Sequence, residues 1–278
     1  MQDLTARKLL LDLLTARPHT RFSIAALVRA GEIVGLSAPS IRMAAKRLGE
    51  EGVLERDGRG VYLPRPDRLR AYPHVERWAD RHRSRVPWTG RWAAVENSAT
   101  ASTDRAALRH HGRAVRLLGF HAWRGSLHVR PDNLRGGVDG LRRTLAGTGM
   151  APGAVVFAID DLDPGADREL RGLWDADALT SALTRTADEL IRSRERLGDL
   201  SPEEFARESL LLGSRAIATI LHDPLLPEEL CDPEPHRRLV ELTKAYQETA
   251  QAIWGRLLGL DAADDTGVDE TGGDARPE

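Results

Sequence analysis

Apolar positions in the first third of the chain recur at three- and four-residue spacing in three successive blocks, and then switch to short β-prone runs. Leu4, Leu10, Leu13 and Leu14 define a first helix with Thr5 as its cap. Ser23 caps a second, in which Ile24, Leu27 and Val28 form the apolar stripe, and Gly31 and Gly35 are expected to break the chain behind it. Ser37 opens a third helix, expected to reach about Glu51, with Pro39 in the first turn where a missing N–H costs nothing. On a wheel of 3.6 residues per turn Ile41, Ala44, Ala45 and Leu48 share one face, so Ser40, Arg42, Met43, Lys46 and Arg47 point away from the core. Val53-Leu54 and Val61-Tyr62-Leu63 follow as strands around the tight-turn pair Asp57-Gly58, with Arg56 and Arg59 near the hairpin tip. Helix, helix, turn, capped helix and hairpin in this order predict a winged helix-turn-helix over residues 1–66.

Pro64, Pro66, Pro73 and Pro87 bracket an arginine-rich stretch, so residues 67–87 read as a connector, with the charged segment around Trp78 compatible with a helix. Residues 88–163 then alternate in a βαββαβ pattern: strand Trp92 to Glu96, helix Asp104 to Leu118, strands Phe120 to Trp123 and Leu127 to Val129, helix Leu134 to Ala146, strand Ala154 to Ile159. That order predicts an antiparallel sheet with two helices on one face, the ferredoxin-like arrangement. Residues 164–260 read as helical. Asp175 starts one helix, Ser201-Pro202-Glu203-Glu204 is a capping box before another, and Asp223 to Pro235 is a proline-rich interruption. A last helix carries Leu239, Leu242, Tyr246, Ile253 and Leu257. Residues 261–278, with seven acids, are expected to form a disordered tail. The fold class expected is therefore α+β, with an N-terminal winged helix-turn-helix, a central ferredoxin-like domain and a C-terminal helical domain.

Charge sharpens this division. The formal net charge of −2 conceals a basic half, residues 1–150, with 27 lysines and arginines against 14 acids, and an acidic half with 13 against 28. The basic half holds the helix-turn-helix, and a like-signed field concentrates a polyanion and makes its binding salt-dependent. One cysteine, Cys231, excludes an internal disulfide and a thiolate metal cluster. No opening segment reads as a signal peptide and no run nears the ~18 to 20 apolar residues that span a bilayer, so a soluble, cytoplasmic protein is expected.

The nine histidines show no His-x₃-His pair, although His121 and His128 are candidates to face each other across a hairpin. Neither a Gly-x-Ser-x-Gly elbow nor a phosphate-binding glycine loop is present, and neither an enzyme nor a metal cofactor is expected. Double-stranded DNA is the expected partner, with Ser40, Arg42, Met43 and Lys46 nearest the base edges, Arg47 nearest a phosphate, and Arg56 and Arg59 reaching the flanking groove or backbone. Two readings stand beside it. One is a metal-dependent nuclease on the ferredoxin-like unit, using Glu96 or Asp160 and Asp161 at strand ends. The other is an interaction adaptor that has lost operator contacts.

Three segments carry a family resemblance: Ser40-Ile41-Arg42-Met43-Ala44-Ala45-Lys46-Arg47-Leu48; Leu117-Leu118-Gly119-Phe120 with Val129-Arg130-Pro131; and Asp223-Pro224-Leu225-Leu226-Pro227-Glu228-Glu229-Leu230. With the order of elements, they make the chain resemble the PaaX family, repressors of phenylacetic acid degradation, over roughly residues 5–258. The resemblance implies a homodimeric transcriptional regulator, usually a repressor, released from its operator by an aryl-coenzyme A thioester. It also implies a middle domain that looks like the small CRISPR-associated endoribonuclease. The chain departs from the family at Cys231-Asp232-Pro233-Glu234-Pro235-His236, where members often carry a tryptophan. A coenzyme A thioester has an anionic nucleotide end and an apolar acyl end, and Arg113, Arg116, Trp123, Arg124 and Arg130 offer matching chemistry.

Overall fold

The computed structural model describes residues 4–58, 60–69, 78–97 and 105–260, apart from the Ala106 side chain. Arg59 and the acidic stretch 261–278 lie outside the described residues. The elements run α1 (Ala6–Ala16), β1 (Phe22–Ser23), α2 (Ile24–Ile33), α3 (Ala38–Glu50), β2 (Leu54–Arg56), β3 (Val61–Pro64) and the single turn α4 (Pro66–Leu69). A 3-10 segment, Trp78–Ser84, precedes β4 (Trp92–Glu96), α5 (Arg105–Leu117), β5 (His121–Ala122), β6 (Leu127–Pro131), α6 (Gly137–Thr148) and β7 (Val155–Ile159). Four helices complete the order: α7 (Pro164–Arg171), α8 (Ala176–Glu195), α9 (Pro202–His222) and α10 (Glu234–Leu258). The protein is thus α+β, with two small antiparallel sheets and a helical C-terminal region. Contacts divide it into two compact units, one of Met1–Glu76, Glu195–Leu211 and Tyr246–Glu278, the other of Arg77–Arg194 and Leu212–Ala245.

In the first unit each helix begins where a side chain takes up an orphan N–H. Thr5 Oγ1 accepts from Lys8 N, Ser23 Oγ from Ala26 N and Ser37 Oγ from Ser40 N. Leu9, Leu10, Leu13 and Leu14 of α1 pack inward, and Leu4 precedes the helix. The second helix differs from expectation in two ways. Its buried face is Ala26, Leu27, Ala30, Gly31 and Ile33, while Ile24 and Val28 are only half-buried. Moreover, Gly31 does not break the helix; the chain turns at Gly35, with φ +78°. Gly31 is instead where α3 comes close, since a Cβ there would stand 2.4 Å from Ile41 Cγ1. The hairpin pairs Leu54 with Pro64 and Arg56 with Tyr62, and β1 adds an unexpected third strand in the order β1-β3-β2. This unit is closed by parts of α9 and α10: Arg207 Nε donates to Ile33 O at 2.8 Å, Arg29 pairs with Glu203 at 3.1 Å, and Arg17 donates to Gln251 O at 2.8 Å. The capping box is reciprocal, with Ser201 N on Glu204 Oε2 at 2.8 Å and Glu204 N on Ser201 Oγ at 3.2 Å.

The second unit is built around β4, which lies between β6 and β7 in a sheet of order β5-β6-β4-β7 with every neighbour antiparallel. Period-two alternation splits its residues between two faces. Ala93 and Val95 pack with Val115 and Phe120 near α5 and with Leu141 and Leu145 of α6. Trp92, Ala94 and Val129 face the other way, against Leu170 of α7. That second helical cover was not expected. Asp163 starts it by accepting from Gly165 and Ala166 N–H groups, and Trp92 ties to it through Nε1 on Asp167 Oδ1 at 3.0 Å. The helix expected from Leu134 starts at Gly137, because Gly136 and Gly137, at φ +88° and +54°, hold a turn first.

His121 and His128 do not face each other. His121 pairs with Val129 and His128 with Ala122, so the two imidazoles leave opposite faces of the sheet. His121 lies edge-on to Trp174, whereas His128 Nδ1 accepts from Asn97 Nδ2 at 3.0 Å. Asn97 Oδ1 in turn meets buried His111 Nε2 at 2.8 Å, and His111 Nδ1 accepts from Ala151 N–H at 3.1 Å. Since Nδ1 faces a donor, the bound form is the neutral ring protonated on Nε2. Burial, and secondarily the charge of His128, accordingly push the His111 pKa below its ordinary value. A base whose folded pKa is depressed contributes stability that is intact above the unfolded value of about 6.5 and declines as pH falls through it. Urea midpoints should therefore drop between about pH 7.5 and about pH 5.5. The drop should be shallower in His111→Gln, though still present because burial shifts His82 the same way. Equal slopes for both proteins would remove His111 from this account.

Candidate nucleic-acid interface

The first candidate surface is the face of α3 turned from its core. Ile41, Ala44, Ala45 and Leu48 are buried, and Ser40, Arg42, Met43, Lys46 and Arg47 are all exposed. Ser40 Oγ accepts from Ser37 Oγ at 3.0 Å, which ties it to the cap. Lys46 lies 3.8 Å from Glu50, with both side chains mostly in solvent, so the pair holds it weakly. Arg42, Arg47 and the exposed Arg56 on β2 have no ion pair among the described residues. Sequence reasoning passed over Arg21. It immediately precedes β1 and pairs with Asp57 of the hairpin at 3.2 Å, adding a cation beside the β2–β3 turn. The pairing of β1 with β3 that places it there joins residues about forty apart, and no local pattern announces it.

The five residues proposed to meet an acyl-coenzyme A do not converge. Arg113 and Arg116 are exposed on α5. Trp123 and Arg124 are together on the β5–β6 hairpin, the guanidinium 4.7 Å from the indole centroid and bonded to Glu169. Arg130 is wholly enclosed. Its Nε donates to Pro131 O at 3.0 Å, one terminal nitrogen to Leu118 O, and the other to Asn133 Oδ1 at 3.0 Å. Burial pushes its pKa down to about 9, with Arg81 adding to the effect, and the charge persists at neutral pH. With every donor nitrogen on a protein acceptor and no exposed surface, Arg130 is corrected from an effector ligand to an internal brace.

That brace belongs to a buried polar group which composition does not reveal. Asn133 Nδ2 donates to Leu225 O at 2.9 Å, and Arg81 donates to Ile220 O, Asp223 O and Leu117 O at 2.9, 2.6 and 3.0 Å. Asp223 accepts from Leu225 N at 2.7 Å and meets buried His236 Nδ1 at 2.8 Å. Burial alone would raise the Asp223 carboxyl, but His236, the Leu225 N–H and Arg85 outweigh it and hold it below the ordinary range. Leu225 sits at φ +55°, and Gly119, at φ +81°, lets Pro224 approach so closely that a Cβ would lie 2.8 Å from its Cα. Beside Asp223, Leu179, Ala182, Leu183, Ala218 and Thr219 line an apolar groove of about 320 Å³.

The acids considered for a nuclease are separated. Glu96 pairs with Val155 at one end of β4, while Asp160 follows Ile159, which pairs with Trp92 at the other end. Four strand steps put them about 13 Å apart, too far to share one metal ion. Glu96 accepts from Ser126 Oγ, and Asp160 pairs with Arg91 at 3.0 Å. No group of three or more His, Cys, Asp or Glu among the described residues is placed to hold a metal. Likewise, no helix among them is long and apolar enough to cross a membrane.

No protein-family model matches the sequence, and no curated protein matches it. Among solved structures the chain is similar to the uncharacterized protein Rv0674 from Mycobacterium tuberculosis. The identity is 23% and the TM-score 0.59, over 93% of this chain and 100% of that one. This likeness is one of fold over most of the chain; it names neither a family nor an activity.

Proposed function

We propose that the protein is a sequence-specific DNA-binding transcriptional regulator whose first unit carries a winged helix-turn-helix. The observation that carries the reading is the outward face of α3, where Arg42 and Arg47 stand unpaired among the described residues beside Lys46 and Ser40. Two further features support the reading: the β2–β3 hairpin follows α3 directly with Arg56 exposed, as a wing would, and the antiparallel order of the second sheet is the one a ferredoxin-like βαββαβ unit takes. A homodimer would set two α3 helices in successive major grooves about 34 Å apart.

The PaaX resemblance extends the proposal to a repressor released by an aryl-coenzyme A thioester. Release requires that the effector bind the DNA-free conformation more tightly, because equal affinity for both states shifts nothing. With Arg130 enclosed and Arg124 bonded to Glu169, Arg113 and Arg116, exposed together on α5, remain as cations for the nucleotide end.

Fluorescence anisotropy over a salt series, using the intergenic DNA beside the protein's own gene and a scrambled duplex, tests the reading. The expected result is saturable binding to the first that is far tighter than to the second. Arg42→Ala/Lys46→Ala, which removes two of the cations of this face, should weaken it by at least about tenfold. Phenylacetyl-coenzyme A should then lower the anisotropy. Equal, weak and steeply salt-dependent binding to both duplexes would leave only non-specific electrostatics.

A further inference from the structure

We infer that Met43 reads the 5-methyl group of a thymine in the major groove, with Lys46 beside it at the base edges and Arg42 and Arg47 on the two flanking phosphate walls. This rests on the DNA-binding reading above and deepens it.

The argument starts from angles. At about 100° per residue, the buried residues Ile41, Ala44, Ala45 and Leu48 centre on one direction of α3, and the opposite direction passes between Met43 and Lys46. Each of these lies about 30° from that centre line, whereas Arg42 and Arg47 lie about 70° from it on opposite sides. A helix seated in a groove presents its centre line to the floor and its flanks to the walls. The long cationic side chains are therefore placed for phosphates, and the middle of the helix offers one apolar and one cationic side chain to the bases.

Met43 is 50% exposed, one of four large apolar residues left so open among the described residues, and the other three, Leu108, Val155 and Leu211, lie on other elements. Half of its surface is open, Arg42, Lys46 and Arg47 stand around it on the same helix, and the acid of that face, Glu50, is about two turns away beside Lys46. An apolar protein partner would have to desolvate those cations, so the fitting occupant is a polyanion with an apolar spot. In the major groove that spot is the thymine C5 methyl, which side chains meet through apolar contact. The flexible, polarizable thioether suits such a contact.

The test uses the full-length protein. Its preferred duplex is selected from a random-sequence library, each thymine is replaced in turn by deoxyuridine, which pairs identically but lacks the methyl, and dissociation constants are measured at fixed salt. One thymine per half-site should cost about three- to fivefold on replacement, the worth of one buried methyl group. That penalty should vanish in Met43→Ala and persist in Met43→Leu. Because Met43 is exposed, both variants should keep the wild-type circular dichroism spectrum. A selected duplex bound tightly, with no thymine whose replacement couples to Met43→Ala, overturns the assignment and leaves the DNA-binding reading standing. Selection that enriches no sequence overturns both.

Discussion

In urea, Arg130→Leu should lose about 3 to 5 kcal/mol of stability, the range found when a buried, hydrogen-bonded charge partner is removed. The cost comes from what is left behind. Leu118 O, Pro131 O and Asn133 Oδ1 would each lose a donor inside the second unit, and an orphaned buried acceptor costs about 1 to 3 kcal/mol. Asn133 also holds Leu225 O, so the loss should spread to the Asp223 loop. Arg130→Lys keeps the charge but replaces a planar fork by a compact ammonium that cannot reach all three acceptors, and should fall between the two. Tryptophan fluorescence is the natural readout, since Trp78, Trp88, Trp92, Trp123 and Trp174 all belong to this unit and only Trp254 to the other. A leucine variant within about 1 kcal/mol of wild type would mean that the acceptors find water or new donors.

Gly31→Ala should act in the opposite sense, by adding atoms. In an exposed helix this change stabilises by about 1 kcal/mol, and Gly147 of α6, with open space around its Cβ position, should behave so. At Gly31 the new methyl meets Ile41 Cγ1 at 2.4 Å and Cδ1 at 2.8 Å, and Ile41 is fully buried and stiff at χ1. Overpacking of about 1 to 3 kcal/mol outweighs the gain in helix propensity. Because Ile41 is on α3, relief requires that helix to move, so under the proposed DNA-binding function affinity for the selected duplex should fall by about tenfold, one base contact's worth. Ile41→Ala removes the obstructing atoms. In a double-mutant cycle the pair should show about 0.5 to 3 kcal/mol of favourable coupling. Additive effects would place the clash elsewhere.

These two residues also mark where sequence stops being informative. Signals that act within four residues were legible: the caps at Thr5, Ser23 and Ser37, the Ser201–Glu204 box and the Asp57-Gly58 turn each close a hydrogen bond or a turn in the structure. The outward set on α3 was legible for the same reason, because one helical period fixes both the buried and the open face. Arg130 was not, since nothing in Val129-Arg130-Pro131 distinguishes an arginine in solvent from one whose acceptors are Leu118 and Asn133. Gly31 read as a breaker because a glycine at a helix crossing and one at a helix end look alike until the neighbouring helix is known. The strand Phe22–Ser23 was missed because its partners, Tyr62 and Val61, lie far along the chain. The helix Pro164–Arg171 is too short for its period to show.

The first unit is assembled from three separated stretches of chain, and this has a consequence for the protein's synthesis. Arg29 and Ile33 find Glu203 and Arg207 174 residues later, and Arg17 finds Gln251 234 residues later. At about 5 to 20 residues per second, the ribosome takes about 9 to 35 s to supply the nearer of these partners. Until it ends α1, α2 and α3 exist without the helices that close their unit, while the sheet of the second unit, local in sequence, is made within the same interval. The segment translated first is therefore completed last, and the nascent chain passes through a stage in which its cationic helix is present but its support is not.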